Sequence, residues 1–317
     1  MTDQPQSHDR SLWRGRELRP GQQTEIWIAE PATGRVERLL GSREVLLEAP
    51  NWLASGDSLI VNGDGRLWRV DLADGKLTGL ELDGLPPVNN DHVLHPDGET
   101  IVISANDGQL YRAPLAGGPA ERITDAPDTA HYLHGVSPDG LELAYVELPR
   151  GEFGVPGRLA VLPVAGGERR LVDVGAGHCD GPEYSPDGEW LLLNTESFTE
   201  QPGHAQLARV RRNGTGFERL LTSDRVDWFP HLAPVGDLGC YLSFPAGTLG
   251  HPADHHVELK VVRAGDWSRA VQHLAFFGGQ GTINVNSWAP TGDRLAFVAY
   301  PLDDDPRTQG VTDRLRG

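Results

Sequence analysis

Short apolar runs recur along the chain, each bounded by a polar, turn-forming phrase. The clearest are Leu59-Ile60-Val61, Ile101-Val102-Ile103, Leu191-Leu192-Leu193 and Leu295-Ala296-Phe297-Val298. Runs this short and this apolar suit strands buried on both faces. A variant of Pro-Asp-Gly stands before each run, within Asn51–Asp57, Val93–Glu99, Gly135–Gly140, Glu183–Gly188, His231–Asp237 and Ser287–Asp293. In such a turn Pro presets φ and Gly takes φ > 0. With Ala54, Pro96, Pro138, Pro186, Pro234 and Pro290 as markers, the spacings are 42, 42, 48, 48 and 56. A repeat of roughly 40–50 residues built from short strands is the signature of a propeller blade. A third strand follows each apolar run, as in Arg66–Val70, Gln109–Arg112, Arg158–Leu162 and Val257–Val262, and a Gly-rich turn leads to a fourth.

The sixth copy runs out of chain after its second strand, near Tyr300. Glu25–Ala29 and Val36–Leu40, joined by Pro31-Ala32-Thr33-Gly34, read as a third and fourth strand with no first or second. The predicted fold is therefore all-β: a six-bladed β-propeller of four-stranded blades, with the N-terminal strands completing the last blade. Closure of this kind removes the free sheet edges that invite aggregation. Residues 21–302 are expected to form one propeller, with flexible tails at 1–20 and 303–317.

Composition narrows the function classes. No amphipathic helix of ordinary length is evident, and 39 Gly and 24 Pro fit a turn-dense β chain. No apolar run of about 18 residues exists, so no membrane span is expected. The N-terminal Met1-Thr2-Asp3-Gln4-Pro5 lacks the basic and apolar pattern of a signal sequence. Cys179 and Cys240, far apart in sequence, need not pair, which points to a reducing compartment and a cytoplasmic location. The formal charge of −17 repels phosphate backbones, which argues against nucleic acid as a partner, and attracts cations.

With Ser137-Pro138-Asp139-Gly140 and Ser185-Pro186-Asp187-Gly188 among its repeats, the chain resembles the TolB-like family of six-bladed propellers over about residues 22–300. The resemblance is specific for fold and much less so for function. It implies a possible protein partner, since TolB itself is a periplasmic partner of lipoprotein and translocation proteins. The same repeat builds the propellers of dipeptidyl-peptidase-like enzymes, but no Gly-x-Ser-x-Gly elbow is present here. A weaker similarity is to the oligogalacturonate lyase family. There a propeller funnel holds manganese on His and Gln side chains.

In a propeller, the starts of the inner strands converge on one funnel. Three and four residues before the markers stand Asn51, His92, His134, Glu183, His231 and Asn286. Imidazole and carboxylate in a ring are suitable ligands for a divalent metal, so His92, His134, Glu183 and His231 are the candidate set for Mn, Fe, Zn or Ni, with Ca a further candidate. Each His could equally well only bond a neighbouring turn. His131 and His178 are candidate donors to the ligands, and Cys179 reads better as a buried thiol than as a soft ligand.

The loops after the second strands lengthen in blades 3 to 5, at 149–156, 196–204 and 245–256, and are expected to wall the funnel on one face. Asn90, Asp91, Asp180, Trp228, Gln280 and Asn284, with Asn51 and Asn286, mix amides, carboxylates and an aromatic ring in the manner of a sugar site. Two function classes follow. One is a metal-dependent enzyme on a small, neutral or weakly acidic carbohydrate, a lyase or related eliminating or isomerising enzyme, with His134, His231 and His251 as catalytic candidates. The other is a non-catalytic TolB-like module that binds a protein or ligand in its funnel.

Overall fold

The computed structural model describes residues 15–152 and 154–313, in which six antiparallel sheets are set around an axis and Leu82–Asp83 pairs in parallel with Gly118–Pro119. Blade 1 comprises Glu48–Trp52, Ser58–Gly63, Arg66–Asp71 and Leu77–Gly79. Blade 2 comprises Val88–Leu94, Thr100–Ala105, Leu110–Pro114 and Glu121–Arg122. Blade 3 comprises Thr129–Val136, Glu142–Pro149, Arg158–Pro163 and Arg170–Leu171. Blade 4 comprises Cys179–Tyr184, Trp190–Thr195, Gln206–Arg211 and Glu218–Arg219. Blade 5 comprises Val226–Leu232, Leu238–Phe244 and the long hairpin Ala253–Arg263 and Asp266–Gly279.

Blade 6 closes the ring as the unpaired N-terminal strands require. Thr24–Glu30 lies between Leu295–Ala299 and Arg35–Ser42, with Glu25 opposite Ala299 and Ile26 opposite Leu40. Its innermost strand is reduced to a bridge between Trp288 and Leu295. The apolar runs supply the core: Leu59, Ile60, Val61, Ile101, Val102, Ile103, Leu295, Ala296, Phe297 and Val298 have no solvent exposure. Burial of such side chains contributes about 1.5–3 kcal/mol each before entropy is set against it. The Pro-Asp-Gly turns form as expected, with Gly98, Gly140 and Gly188 all at φ 71°. Their N–H groups donate to the carbonyls of His95, Ser137 and Ser185.

The outer parts of the expected tails, 1–14 and 314–317, lie outside the described residues. The inner parts are anchored by specific bonds. Arg16 donates to Asp254 at 2.6 Å and lies over the Tyr300 ring at 4.0 Å. Asp303 receives a bidentate pair from Arg43, and Thr312–Asp313 adds a fifth strand to blade 5. Among the described residues no helix is long and apolar enough to cross a membrane.

Candidate functional site

The inner strands of blades 1 to 5 all slip register, between Glu48 and Asn51, Val88 and His92, Leu133 and Gly135, Asp180 and Glu183, and Trp228 and His231. Three residues that stand five before their markers, Ala49, Gly181 and Phe229, take φ of 53°, 62° and 56°. A bulge of this kind re-aims the side chains on either side of it. It is the physical reason that residues in sequence register do not share a centre here.

The four candidate metal ligands are accordingly separated by function. His231 holds Glu183 through Nδ1, and its Nε2 faces the Ile283 carbonyl at 2.7 Å. Glu183 accepts from Asn286 at 2.6 Å, and Asn51 donates to the Asn286 carbonyl at 2.7 Å. Asn51 also accepts from the Leu94 N–H at 3.1 Å. Asn51, Asn286, Glu183 and His231 thus form a buried chain of hydrogen bonds that ties blades 1, 2, 4, 5 and 6 at the axis. His92 is fully buried beside the backbone of Ala49 and Ile60, and burial pushes its imidazole down to about 4. His134 uses both ring nitrogens on oxygens, Nδ1 donating to the Asn284 carbonyl at 3.1 Å and Nε2 to Asp180 at 3.0 Å. A metal needs an imidazole lone pair. In this arrangement the four side chains do not fit a shared ion, and no group of three or more His, Cys, Asp or Glu among the described residues does so.

His134 belongs instead to a cavity of about 280 Å³ at the funnel. Its lining brings together Asn90, Asp91, His134, Asp180, His251, Gln280 and Asn284 from the sequence candidates. Asp180 is the hub. It accepts from His134 and lies 3.4 Å from His251 Nε2 and 3.9 Å from His178 Nε2. Burial would raise its pKa, but His134 above all holds it well below the ordinary 3.8. Burial would lower that of His134, but Asp91 and Asp180 push it up to about 9. Asp91 is 4% exposed, and burial pushes its carboxyl up to about 6. One Asp91 oxygen accepts from the Asn89 amide at 3.0 Å, while the other lies 3.9 Å from His134 Nε2.

Of the three long loops expected to wall the funnel, only that of blade 5 lines the cavity, through His251, while that of blade 4 lines a separate hollow with Glu196, Phe198 and Pro202. The Gly157 N–H, at the end of the blade 3 loop, donates to His178 Nδ1 at 2.9 Å and fixes the tautomer that aims Nε2–H at Asp180. The blade 5 loop carries His251 over Asp180. Trp228 is not a sugar platform: it is 1% exposed, and its ring packs under His251 at 4.4 Å and His178 at 6.1 Å. His131 is likewise away from the cavity, bonded to the Gly108 carbonyl at 2.7 Å and packed on Tyr145. Cys179 is a buried thiol, pushed up to about 12 by burial.

Tyr132, Val146 and Leu148 line the cavity and were not among the sequence candidates. A signal for them existed. Tyr132 precedes His134 by two in one strand, and Val146 pairs directly opposite Tyr132.

No family model matches the chain. An uncharacterised protein of Agrobacterium fabrum is 35% identical over 271 residues, spanning 84% of this chain and 89% of the relative. A solved structure from Agrobacterium tumefaciens, provisionally named as a TolB, superposes with a TM-score of 0.78 at 32% identity, over 88% of this chain and 98% of that one. An oligogalacturonate lyase of Vibrio parahaemolyticus shares the fold alone, with a TM-score of 0.53 at 12% identity over 92% of this chain and 84% of that one. With its six closed blades and these relatives, the chain belongs to the TolB-like family of six-bladed β-propellers.

Proposed function

We propose that the funnel cavity binds a small carbohydrate and that Asp91, His134 and Asp180 carry proton transfer on it. The observation that supports this reading is the convergence of two buried carboxylates and three imidazoles on one cavity of about 280 Å³. Gln280 and Asn90 supply amides for hydroxyl groups, while Val146, Leu148 and Tyr132 supply an apolar wall for the C–H face of a sugar ring. Asp91, with its carboxyl near 6, is poised to accept and return a proton close to neutral pH. The His134 imidazolium, fixed by Asp180 and the Asn284 carbonyl, stabilises the Asp91 carboxylate once its proton has left. Elimination and isomerisation of sugars both begin with proton removal from a carbon next to a carbonyl or carboxyl group, a step that such a base serves. No step is routed through a metal, because His134 on one side and Glu183 with His231 on the other are held in separate sets of hydrogen bonds.

Calorimetric titration of neutral mono- and disaccharides tests the reading, with proton exchange from the bound sugar followed by NMR in deuterated buffer. Saturable binding that Asp180→Asn weakens by about tenfold is expected, with exchange lost in Asp91→Asn. Absence of binding across the panel to folded protein would overturn it. The second reading, a non-catalytic module that receives a protein partner in the funnel, rests on the TolB likeness. It gains if saccharides fail while a partner's peptide competes for the same cavity.

A further inference from the structure

We infer that the funnel cavity selects amine-bearing sugars over neutral ones and rejects uronates, an inference that rests on the carbohydrate reading above. The charged groups of the lining are two carboxylates, Asp91 and Asp180, and the imidazole groups of His134, His178 and His251; none of the lining residues is Lys or Arg. Beside neutral amides, a uronate carboxylate therefore has no positive group to meet but an imidazolium. His134 has no N–H to offer, since both its nitrogens already serve oxygens at 3.1 Å and 3.0 Å. The Nδ1 of His178 accepts the Gly157 N–H, and its Nε2 side faces Asp180. His251 Nε2 also faces Asp180, at 3.4 Å. Arg16 reaches the lining at the Gln280 carbonyl and is committed to Asp254 and Glu48, and Arg150, within electrostatic range of Tyr132, donates to the Asp107 carbonyl at 2.6 Å.

An ammonium group meets the opposite situation. Asp180 already has His134, His178 and His251 around it. Asp91 has only the Asn89 amide at hydrogen-bond distance, although it is 4% exposed. A buried carboxylate whose one hydrogen-bond donor is neutral, with the His134 imidazolium acting on it only across 3.9 Å, is costly, and a cation placed against its second oxygen recovers part of that cost. That oxygen stands 3.9 Å from His134 Nε2, beyond hydrogen-bond distance. An amine on the ring, delivered while its C–H face lies on Val146 and Leu148, would complete Asp91 as no hydroxyl can, because its hydrogen bond is charge-assisted. The −17 charge of the chain adds a long-range pull in the same direction.

The test is a matched trio, glucosamine, glucose and glucuronate, titrated calorimetrically into the full chain at about pH 7 in chelator-treated buffer. Glucosamine is expected to bind about tenfold more tightly than glucose, and glucuronate more weakly than either. Asp91→Asn, which keeps the shape and removes the charge, should erase the preference for the amine, bringing the ratio of glucosamine to glucose affinity down to about one. Glucuronate binding most tightly, or a preference for the amine that survives in Asp91→Asn, would overturn the selectivity and leave the carbohydrate reading standing. Failure of all three sugars would take both down together.

Discussion

His134 gives both ring N–H groups to oxygens, and a buried imidazolium of this kind shapes how stability depends on pH. Its folded pKa of about 9 lies above its ordinary 6.5, so the unfolded chain loses the proton first as pH rises. The stabilisation is therefore complete below pH 6.5 and is lost as pH climbs through 9. It is expected to be on the order of 3 kcal/mol. Denaturant unfolding between those limits checks this: the wild-type chain should lose stability, and His134→Gln should show a shallower profile over the same window, the remainder coming from His178, which Asp180 also raises. An equal slope in both would place the titration elsewhere. Asp180 works in the other direction. Its folded pKa is held well below 3.8, so its contribution is present above that value and falls away only in acid. These two residues also show what a sequence conceals. His134 and Asp180 were both legible as funnel residues, because the repeat alignment put each on or just before an inner strand; His134 is the sixth residue of Thr129–Val136 and Asp180 the second of Cys179–Tyr184. Their partnership was not, since it depends on which way a bulged strand turns them.

At the scale of the strand, the bulge in the inner strands decides the site. In a regular strand, His92 and His134 would point alike, and Glu183 and His231 would point alike. The slip of register sends Glu183 and His231 into the axial hydrogen-bond chain and leaves His134 at the cavity. Only Gly181 announces the left-handed backbone in the sequence; Ala49 and Phe229 adopt it without glycine, at φ 53° and 56°. That is why the repeat could be aligned to the residue while the facing of its side chains could not. Gly181 gives the means to test the bulge. A Cβ there would sit 3.0 Å from the Phe229 ring and 3.2 Å from Asn194 Oδ1, on a backbone at φ 62°. Gly181→Ala should cost about 1–3 kcal/mol and disturb Asp180, so sugar affinity should fall together with melting temperature. Trp228→Ala, which empties the space beneath His251 and His178, should cost about 3–5 kcal/mol by the same measurement. A neutral Trp228 variant would mean that the two histidines are not held from below.

At the scale of the whole molecule, the ring is closed by strands from opposite ends of the sequence. This much was legible, because two N-terminal strands had no partners of their own and the sixth repeat lacked two. Thr24–Glu30 pairs along five residues with Leu295–Ala299 and buries Ile26 and Ala29 completely. Gln22 and Leu302 extend the contact as a bridge, and the Asp303 N–H donates to the Gly21 carbonyl at 2.8 Å. The closure is thus non-covalent, and what it requires is the presence of the strands rather than their position in the chain. Deleting residues 1–42 should remove half of blade 6, bare the edge of Leu295–Ala299 and leave an aggregating chain. A circular permutant should behave differently. One that begins at Glu44 and carries residues 15–43 after Asp313 on a flexible Gly/Ser linker restores every strand pair. It should keep a melting temperature within about 5–10 °C of the parent and retain sugar binding, because the added loop costs only slowly growing entropy. Thermal unfolding and size-exclusion chromatography of the two variants side by side decide the matter. A soluble, cooperatively folding deletion would show that five and a half blades suffice, and an unfolded permutant would show that the order of the strands matters as well as their contacts.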